Sequence, residues 1–284
     1  MAWLAWDKMI LPKAMGGMGF RDMRAFNQAL LAKQAWRLIE HPESLVARLL
    51  CAKYYPSCSL VDTVFTGNAS AVWRGIEHGL ELVKKGMIWR VGNGNSIRTW
   101  RDSWIPRGPV LKPITPKRRC RLNRVSEFLD HRGNWNIDLL NEHFWPVDVQ
   151  VIRSIRTSPS QDADFLAWFP GKFGQFSVKS AYHWAMQEHI RRHNPGASSS
   201  RPEGDRACWN WVWKARVPHK MRTFAWKIVV DALPTNACKA RHHISEFGGY
   251  RLCGATNDDS FHALITCPYS VSLWELMRQV WPLP

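Results

Sequence analysis

With 284 residues, 45% of them apolar, the chain can bury one large core or two to three small ones, so it needs no covalent staple to fold. Its 39 Lys and Arg against 23 Asp and Glu leave a net charge of +16, which attracts polyanions. That points either to nucleic acid or to an ordinary basic module of a larger assembly. Seven cysteines is an odd number, and Cys51, Cys58, Cys120, Cys208 and Cys238 follow no framework spacing, which argues against a disulfide-stapled secreted scaffold.

The opening run "MAWLAWDKMILPKAMGG" carries Asp7, Lys8 and Lys13, so it reads as neither a signal peptide nor a membrane span. No later segment reaches the ~18 uninterrupted apolar residues of a span. The expectation is a soluble intracellular protein, in nucleus or cytoplasm, with no membrane partner. From Asp22 to Tyr55 the pattern predicts two helices separated by "HPES". Leu31, Ala35, Leu38 and Ile39 form one stripe, and Ser44 is placed to cap the second helix. A third helix is expected over 70–85. In "MIWRVGNGNSIRTW", Met87, Trp89 and Val91 alternate before Asn93-Gly94-Asn95, which predicts a β-hairpin.

Residues 106–124 read as a Pro-rich basic loop in which Lys112, Lys117, Arg118, Arg119, Arg121 and Arg124 have no acidic neighbour. Short helical pieces follow around "VSEFLD" and "DVQVIRSIRT". The stretch "DFLAWFPGKFGQFSV" predicts a second hairpin turning at Pro170-Gly171 and Gly174. Ser177 then opens a helix whose Val178, Ala181, Tyr182 and Ala185 share a face. Residues 190–206 have the composition of a flexible linker. Beyond it, Met221, Phe224, Ala225, Ile228 and Val229 form a helical stripe, and a last helix groups Leu273, Met277, Val280 and Trp281. The fold class expected is α+β, mostly helical, with two hairpins. The segments expected are 1–105, 106–189, the linker 190–206, and 207–284.

Two features suggest binding. In "RLCGATNDDSFHALITCPY", Cys253, His262 and Cys267 stand at C-x8-H-x4-C, three of the four ligands a closed zinc site needs. The bland alternative is that His262 and Cys267 only pack under the last helix. The exposed cations Lys112, Lys117, Arg118, Arg119, Arg121, Lys214, Arg216, Lys220 and Lys227 suit phosphate contact without sequence preference. Trp209, Trp211 and Trp213 read as core anchors in preference to platforms for unpaired bases. The acidic pair Asp258-Asp259 lies in a polar loop and reads as a solvated turn. With no carboxylate cluster for two metal ions and no phosphate loop or nucleophile elbow, no catalytic residue is assigned.

The blocks "AWDKMILPKAMGGMGFRDMRAFNQALLAKQAWRL", "SAVWRGIEHGLELVKKGMIWRVGNGNSIRTWRDSWIP", "GQFSVKSAY", "VWKARVPHKMRTFAWKIVVDALPTNACKAR" and "HALITCPYSVSLW" resemble plant non-LTR (LINE-type) retrotransposon reverse transcriptases. The resemblance is to the region downstream of the polymerase domain, including the reverse-transcriptase zinc-binding domain. It implies zinc as cofactor, with Cys253, His262 and Cys267 as second, third and fourth ligands and Tyr250 where the first cysteine belongs. His242, His243, Cys238 or water are the candidates for the vacant place. It also implies a truncated polyprotein fragment, lacking its polymerase domain and the Y-x-D-D carboxylates, that binds RNA or DNA non-specifically. The alternative is a structural or protein-interaction remnant.

Overall fold

The computed structural model describes residues 4–57, 59–63, 69–108, 110–157, 162–193, 203–246, 248–256 and 258–281. The chain divides into two compact units, Met1–Arg21 with Asn194–Pro284, and Asp22–His193. The expected segments 1–105 and 106–189 thus contribute to one unit from Asp22 onward, while the first residues group with the C-terminal segment.

The chain opens with the short helix α1 (Trp6–Met9) and a single 3-10 turn, Lys13–Met15, which ends at Gly16. Gly16 has φ of 85°, and a Cβ there would come within 2.8 Å of the Trp209 ring. Only glycine satisfies both conditions at no cost.

In the Asp22–His193 unit, α2 (Met23–Glu40) starts where the Asp22 carboxylate accepts from the Arg24 and Ala25 N–H groups. Ser44 caps α3 (Leu45–Tyr54) through the Ala47 N–H, and Ser70 caps α4 (Ala71–Gly86) through that of Trp73. Ala29, Ala32 and Ala35 make one side of α2 small, and α4 approaches it closely. A Cβ on Gly79 would stand 2.4 Å from the Ala32 nitrogen. The α7 helix (Val178–His193) closes this core, its Tyr182 hydroxyl accepting from the Asp22 N–H.

The two expected hairpins do not form. One strand of each pairs with the other instead: β1 (Met87–Arg90) runs antiparallel to β2 (Phe165–Trp168), with Met87 opposite Trp168 and Arg90 opposite Phe165. The reason lies in the loop after β1. The Asp164 carboxylate accepts from the N–H groups of Gly92, Gly94 and Ser96, each at 2.8 Å, so the loop wraps an acceptor at the foot of β2 instead of folding back on β1. After β2, Pro170-Gly171 leads through the 3-10 turn Lys172–Gly174 into α7, not into a strand.

A second core in this unit packs Ile97, Trp104, Val125, Phe128, Leu140 and Ile152 between the 3-10 turn Val125–Phe128, α5 (Ile137–His143) and α6 (Pro146–Ser154). It encloses Asp148, which accepts from the Thr115 N–H and hydroxyl and pairs with Arg107 at 2.8 Å.

The remaining helices are α8 (Glu203–Lys214), α9 (His219–Val229), α10 (Asn236–Arg241) and α11 (Pro268–Val280). Since α7 runs through His193 and α8 opens at Glu203, the expected 190–206 linker is helical at both ends. Residues 194–202 lie outside the described residues. The helix expected around Met221 forms, but its buried anchor is Trp226, off the predicted stripe, and Met221, Phe224 and Val229 are exposed. Trp226 is held because its Nε1 donates to the Gly16 carbonyl at 2.9 Å. Arg222 donates to the Trp213 carbonyl at the end of α8 and to the Val217 carbonyl in the connection to α9. No helix among the described residues is long and apolar enough to cross a membrane.

Candidate metal centre

Three local structures present the three donors. The first is a turn in which the Gly254 N–H donates to the Tyr250 carbonyl at 3.0 Å and the Tyr250 N–H to the Ala255 carbonyl at 2.9 Å; it holds Cys253. The second is the π-helical turn His262–Thr266, whose first N–H is accepted by Asp259 Oδ1 at 2.7 Å. The third is the start of α11, where Cys267 is the N-cap, Pro268 occupies the first turn, and the Cys267 N–H donates to the His262 carbonyl at 2.8 Å.

Cys253 Sγ, His262 Nε2 and Cys267 Sγ thereby converge. One ligand atom from each lies within 4.8 Å of the others, and Cys253 Sγ is 3.1 Å from His262 Nε2. In a tetrahedral zinc site with Zn–S of ~2.3 Å, two sulfurs stand ~3.8 Å apart, so these side chains need only small adjustments to close on an ion. The other ring nitrogen, His262 Nδ1, is 3.3 Å from the Thr266 hydroxyl, a second contact that orients the ring. Cys267 is fully buried. Burial works against its thiolate, but the Ser270 and Tyr269 backbone N–H groups at the positive end of α11, with help from Cys253, hold its pKa below the usual thiol value.

The fourth place is the weak one. The Tyr250 ring stands edge-on to His262, with centroids 5.3 Å apart. Burial pushes its phenol above the usual range, and the charges of Cys267, Asp258 and Cys253 push the same way, so the hydroxyl stays protonated and is a poor ligand. Neither Cys238, His242 nor His243 joins the three donors among the described residues.

Asp258-Asp259 is not the solvated turn expected. Asp258 is buried and its carboxylate accepts from the Asn236 N–H at 2.7 Å, fastening the loop to the start of α10, while Asp259 holds the His262 turn. The spacing does not foretell the Asp258 contact, which joins segments 22 residues apart, whereas the Asp259 contact is a local one across three residues.

Lys112, Lys117, Arg118, Arg119 and Arg121 are exposed on the Asp22–His193 unit, and Lys214, Arg216, Lys220 and Lys227 on the other. The basic loop does meet an acid: Glu127 accepts from the Asn123 and Arg124 backbone N–H groups at 2.6 Å each. Trp209 lies against Gly16, and Trp213 lies under the Lys13 ammonium, 4.6 Å from the ring centre; both anchor the unit, as expected. Trp211, on the opposite side of α8, is 80% exposed. The periodicity of α8 separates Trp209 and Trp213 from Trp211, a distinction legible in the sequence but not drawn from it.

A family model described as zinc-binding in reverse transcriptase matches residues 176–274, which include all three donors. The chain is 29% identical over 277 residues to an Arabidopsis thaliana protein named "Putative ribonuclease H protein", a match covering 95% of this chain and 43% of that one. It is 41% identical over 114 residues to an "Uncharacterized mitochondrial protein" of the same plant, covering 40% of this chain and 74% of that one. The chain therefore spans less than half the length of the first relative. No solved structure matches it. Long matching blocks in order, the family match over the donors and the fit of those donors to a metal lead to one conclusion: the chain belongs to the plant non-LTR retrotransposon reverse-transcriptase family and carries the part that includes its zinc-binding domain.

Proposed function

We propose that the chain holds zinc through Cys253, His262 and Cys267 and binds single-stranded RNA or DNA without sequence preference. We further propose that it performs no polymerisation or hydrolysis of its own. When bound, zinc would tie the Cys253 turn to α11. The protein's own residues would do the rest: Asp259 sets the His262 turn and Asp258 secures the loop to α10.

The observation that carries the nucleic-acid reading is Trp211, an indole 80% exposed and one helical turn from Lys214 on the outer side of α8. On α9, Lys220, Phe224 and Lys227 repeat the arrangement at i, i+4 and i+7, all exposed. Exposed rings between cations suit unpaired bases on a phosphate backbone. The carboxylates support the absence of catalysis. Asp62 and Asp102 are both held by Arg98, Asp148 by Arg107 and Thr115, and Asp164 by backbone N–H groups. None of these is free to hold a pair of metal ions.

Fluorescence anisotropy with a labelled single-stranded oligonucleotide tests the reading. Affinity should fall as salt rises, with a log–log slope of ~0.7 per phosphate neutralised. Trp211→Ala should weaken binding roughly 10-fold, from ~1–3 kcal/mol per stacked base. Undetectable binding at low salt, a flat salt response, or an unchanged Trp211→Ala affinity overturns it. One observation favours a second reading, contact with another protein of the parent polyprotein: α11 exposes Leu273, Leu276 and Val280 together with Trp281 just past its end. Absence of any oligonucleotide binding would leave that reading in place.

A further inference from the structure

We propose that a cavity within the Asp22–His193 unit is a nucleotide-binding site, taking a base beside Trp89 and Trp100 and a phosphate among Lys84, Arg101 and Lys112. This site is separate from the Trp211 surface and does not depend on it.

The cavity has a volume of about 770 Å³, within the ~300–1,000 Å³ typical of small-molecule sites. Its floor is apolar, formed in part by Leu38, Tyr55 and Met87, all buried. Two indoles stand in its wall, Trp100 with its ring fixed and Trp89 on a strand whose backbone is held. Trp100 donates from Nε1 to the Leu122 carbonyl at 2.9 Å and stacks on Phe144 with centroids 4.9 Å apart, yet remains only partly buried. Trp89 sits on β1 opposite Leu166, its backbone N–H donating to the Ser103 carbonyl at 2.7 Å. A ring sliding against such walls would pay little to order them.

The charge on the lining decides the ligand class. The lining includes Asp62 and Asp102, but Arg98 spans both, at 3.1 and 2.8 Å. This pairing holds the Asp62 carboxyl below its usual range despite partial burial. Among the described residues, Lys84 and Lys112 are then lining cations in no ion pair, Arg101 adds only a through-space attraction to Asp62, and with four cations against two carboxylates the cavity keeps a positive excess. Apolar ligands would leave those charges uncompensated. A metal cation would be repelled. Inorganic phosphate alone would leave the indoles and the apolar floor unused. A base joined to a phosphate uses all three parts of the wall, by stacking, by burial and by charge-assisted hydrogen bonds.

The test is calorimetric titration of the full chain with adenosine 5′-monophosphate, with inorganic phosphate as the second probe. Lys84, Arg101 and Lys112 are exposed, so charge reversal there should leave the fold intact, which circular dichroism would check. The expected result is saturable nucleotide binding, at least 10-fold weaker in Arg101→Glu/Lys112→Glu and unaffected by Trp211→Ala. Displacement by a single-stranded oligonucleotide would assign the natural ligand to a strand, and persistence in its presence would assign it to a free nucleotide; either outcome upholds the site. An unchanged affinity in the double variant overturns the proposal, as does phosphate binding as tightly as the nucleotide. Because Trp211→Ala reads only the α8 surface, failure here is distinguishable from failure of the nucleic-acid reading.

Discussion

Replacing Tyr250 by cysteine should convert a three-donor centre into a closed four-ligand one. The turn that would carry the new thiol already exists, since the Gly254 N–H to Tyr250 carbonyl and Tyr250 N–H to Ala255 carbonyl bonds use backbone alone. Structural zinc sites with a full ligand set bind with ~10–16 kcal/mol, or roughly 3 kcal/mol per ligand. The substitution forfeits the edge contact between Tyr250 and His262, worth ~1 kcal/mol. The net gain of about 2 kcal/mol is roughly a 30-fold tighter site. Competition against a chromophoric zinc chelator at neutral pH measures the affinity, and elemental analysis the stoichiometry. Cys253→Ser in the same assay should lose metal, because it removes a donor 3.1 Å from His262 Nε2. If Tyr250→Cys leaves affinity unchanged at one zinc per chain, the Tyr250 turn does not face the ion. If Cys253→Ser keeps its zinc, the donor assignment itself is wrong.

Gly79→Ala would set a Cβ 2.3 Å from the Leu31 carbonyl carbon and 2.4 Å from the Ala32 nitrogen, forcing α2 and α4 apart. Overpacking of this kind costs ~1–3 kcal/mol and outweighs the ~1 kcal/mol that alanine gains in a helix. Gly75→Ala, whose Cβ meets only the Leu31 side chain at 3.3 Å, should instead be neutral or stabilising, and urea denaturation of the pair compares them directly. Asp148→Ala should destabilise by ~3 kcal/mol, because Arg107 would lose its partner next to an apolar core. Burial raises the Asp148 carboxyl, but hydrogen bonds from Thr115 and from Arg107 outweigh it, and the folded-state pKa lies below the ordinary 3.8. The stability it contributes is therefore full above 3.8 and lost as pH falls through the lower folded value. Urea melts at pH 6 and pH 3 should show wild type falling more steeply than Asp148→Ala; parallel losses would contradict the linkage.

The helices were legible because each carries its own start signal and stripe: Asp22, Ser44 and Ser70 cap where polar residues precede apolar periodicity. The sheet was not. Both strands show the right alternation, but which strand pairs with which is decided by Asp164, whose carboxylate gathers three N–H groups from a loop about 70 residues away. Alternation reports the face a strand buries and is silent on its partner. At the candidate centre the three donors were legible from spacing, and the gap at Tyr250 from the family pattern. The contact of Asp258 was not, because a buried acid that fastens a distant helix start looks in sequence like any acid in a polar loop.

The family match and the folding units do not share boundaries, and the difference bears on how the centre is held. The match over 176–274 takes in α7, which packs against α2 and α4 in one unit, as well as the donors in the other. It leaves out Met1–Arg21, although Trp226, the most buried residue of α9, donates to the Gly16 carbonyl, and Trp209 packs where only a glycine at that position leaves room. Lys13 covers the face of Trp213 in the same way. The segment about 200 residues upstream is therefore part of the unit that presents Cys253, His262 and Cys267. A fragment cut to the family boundaries would open the packing around three tryptophans while keeping every ligand. Metal affinity alone would not replace that packing, since an ion bound by these donors would tie Cys253 to α11 and leave α8 and α9 to their own contacts.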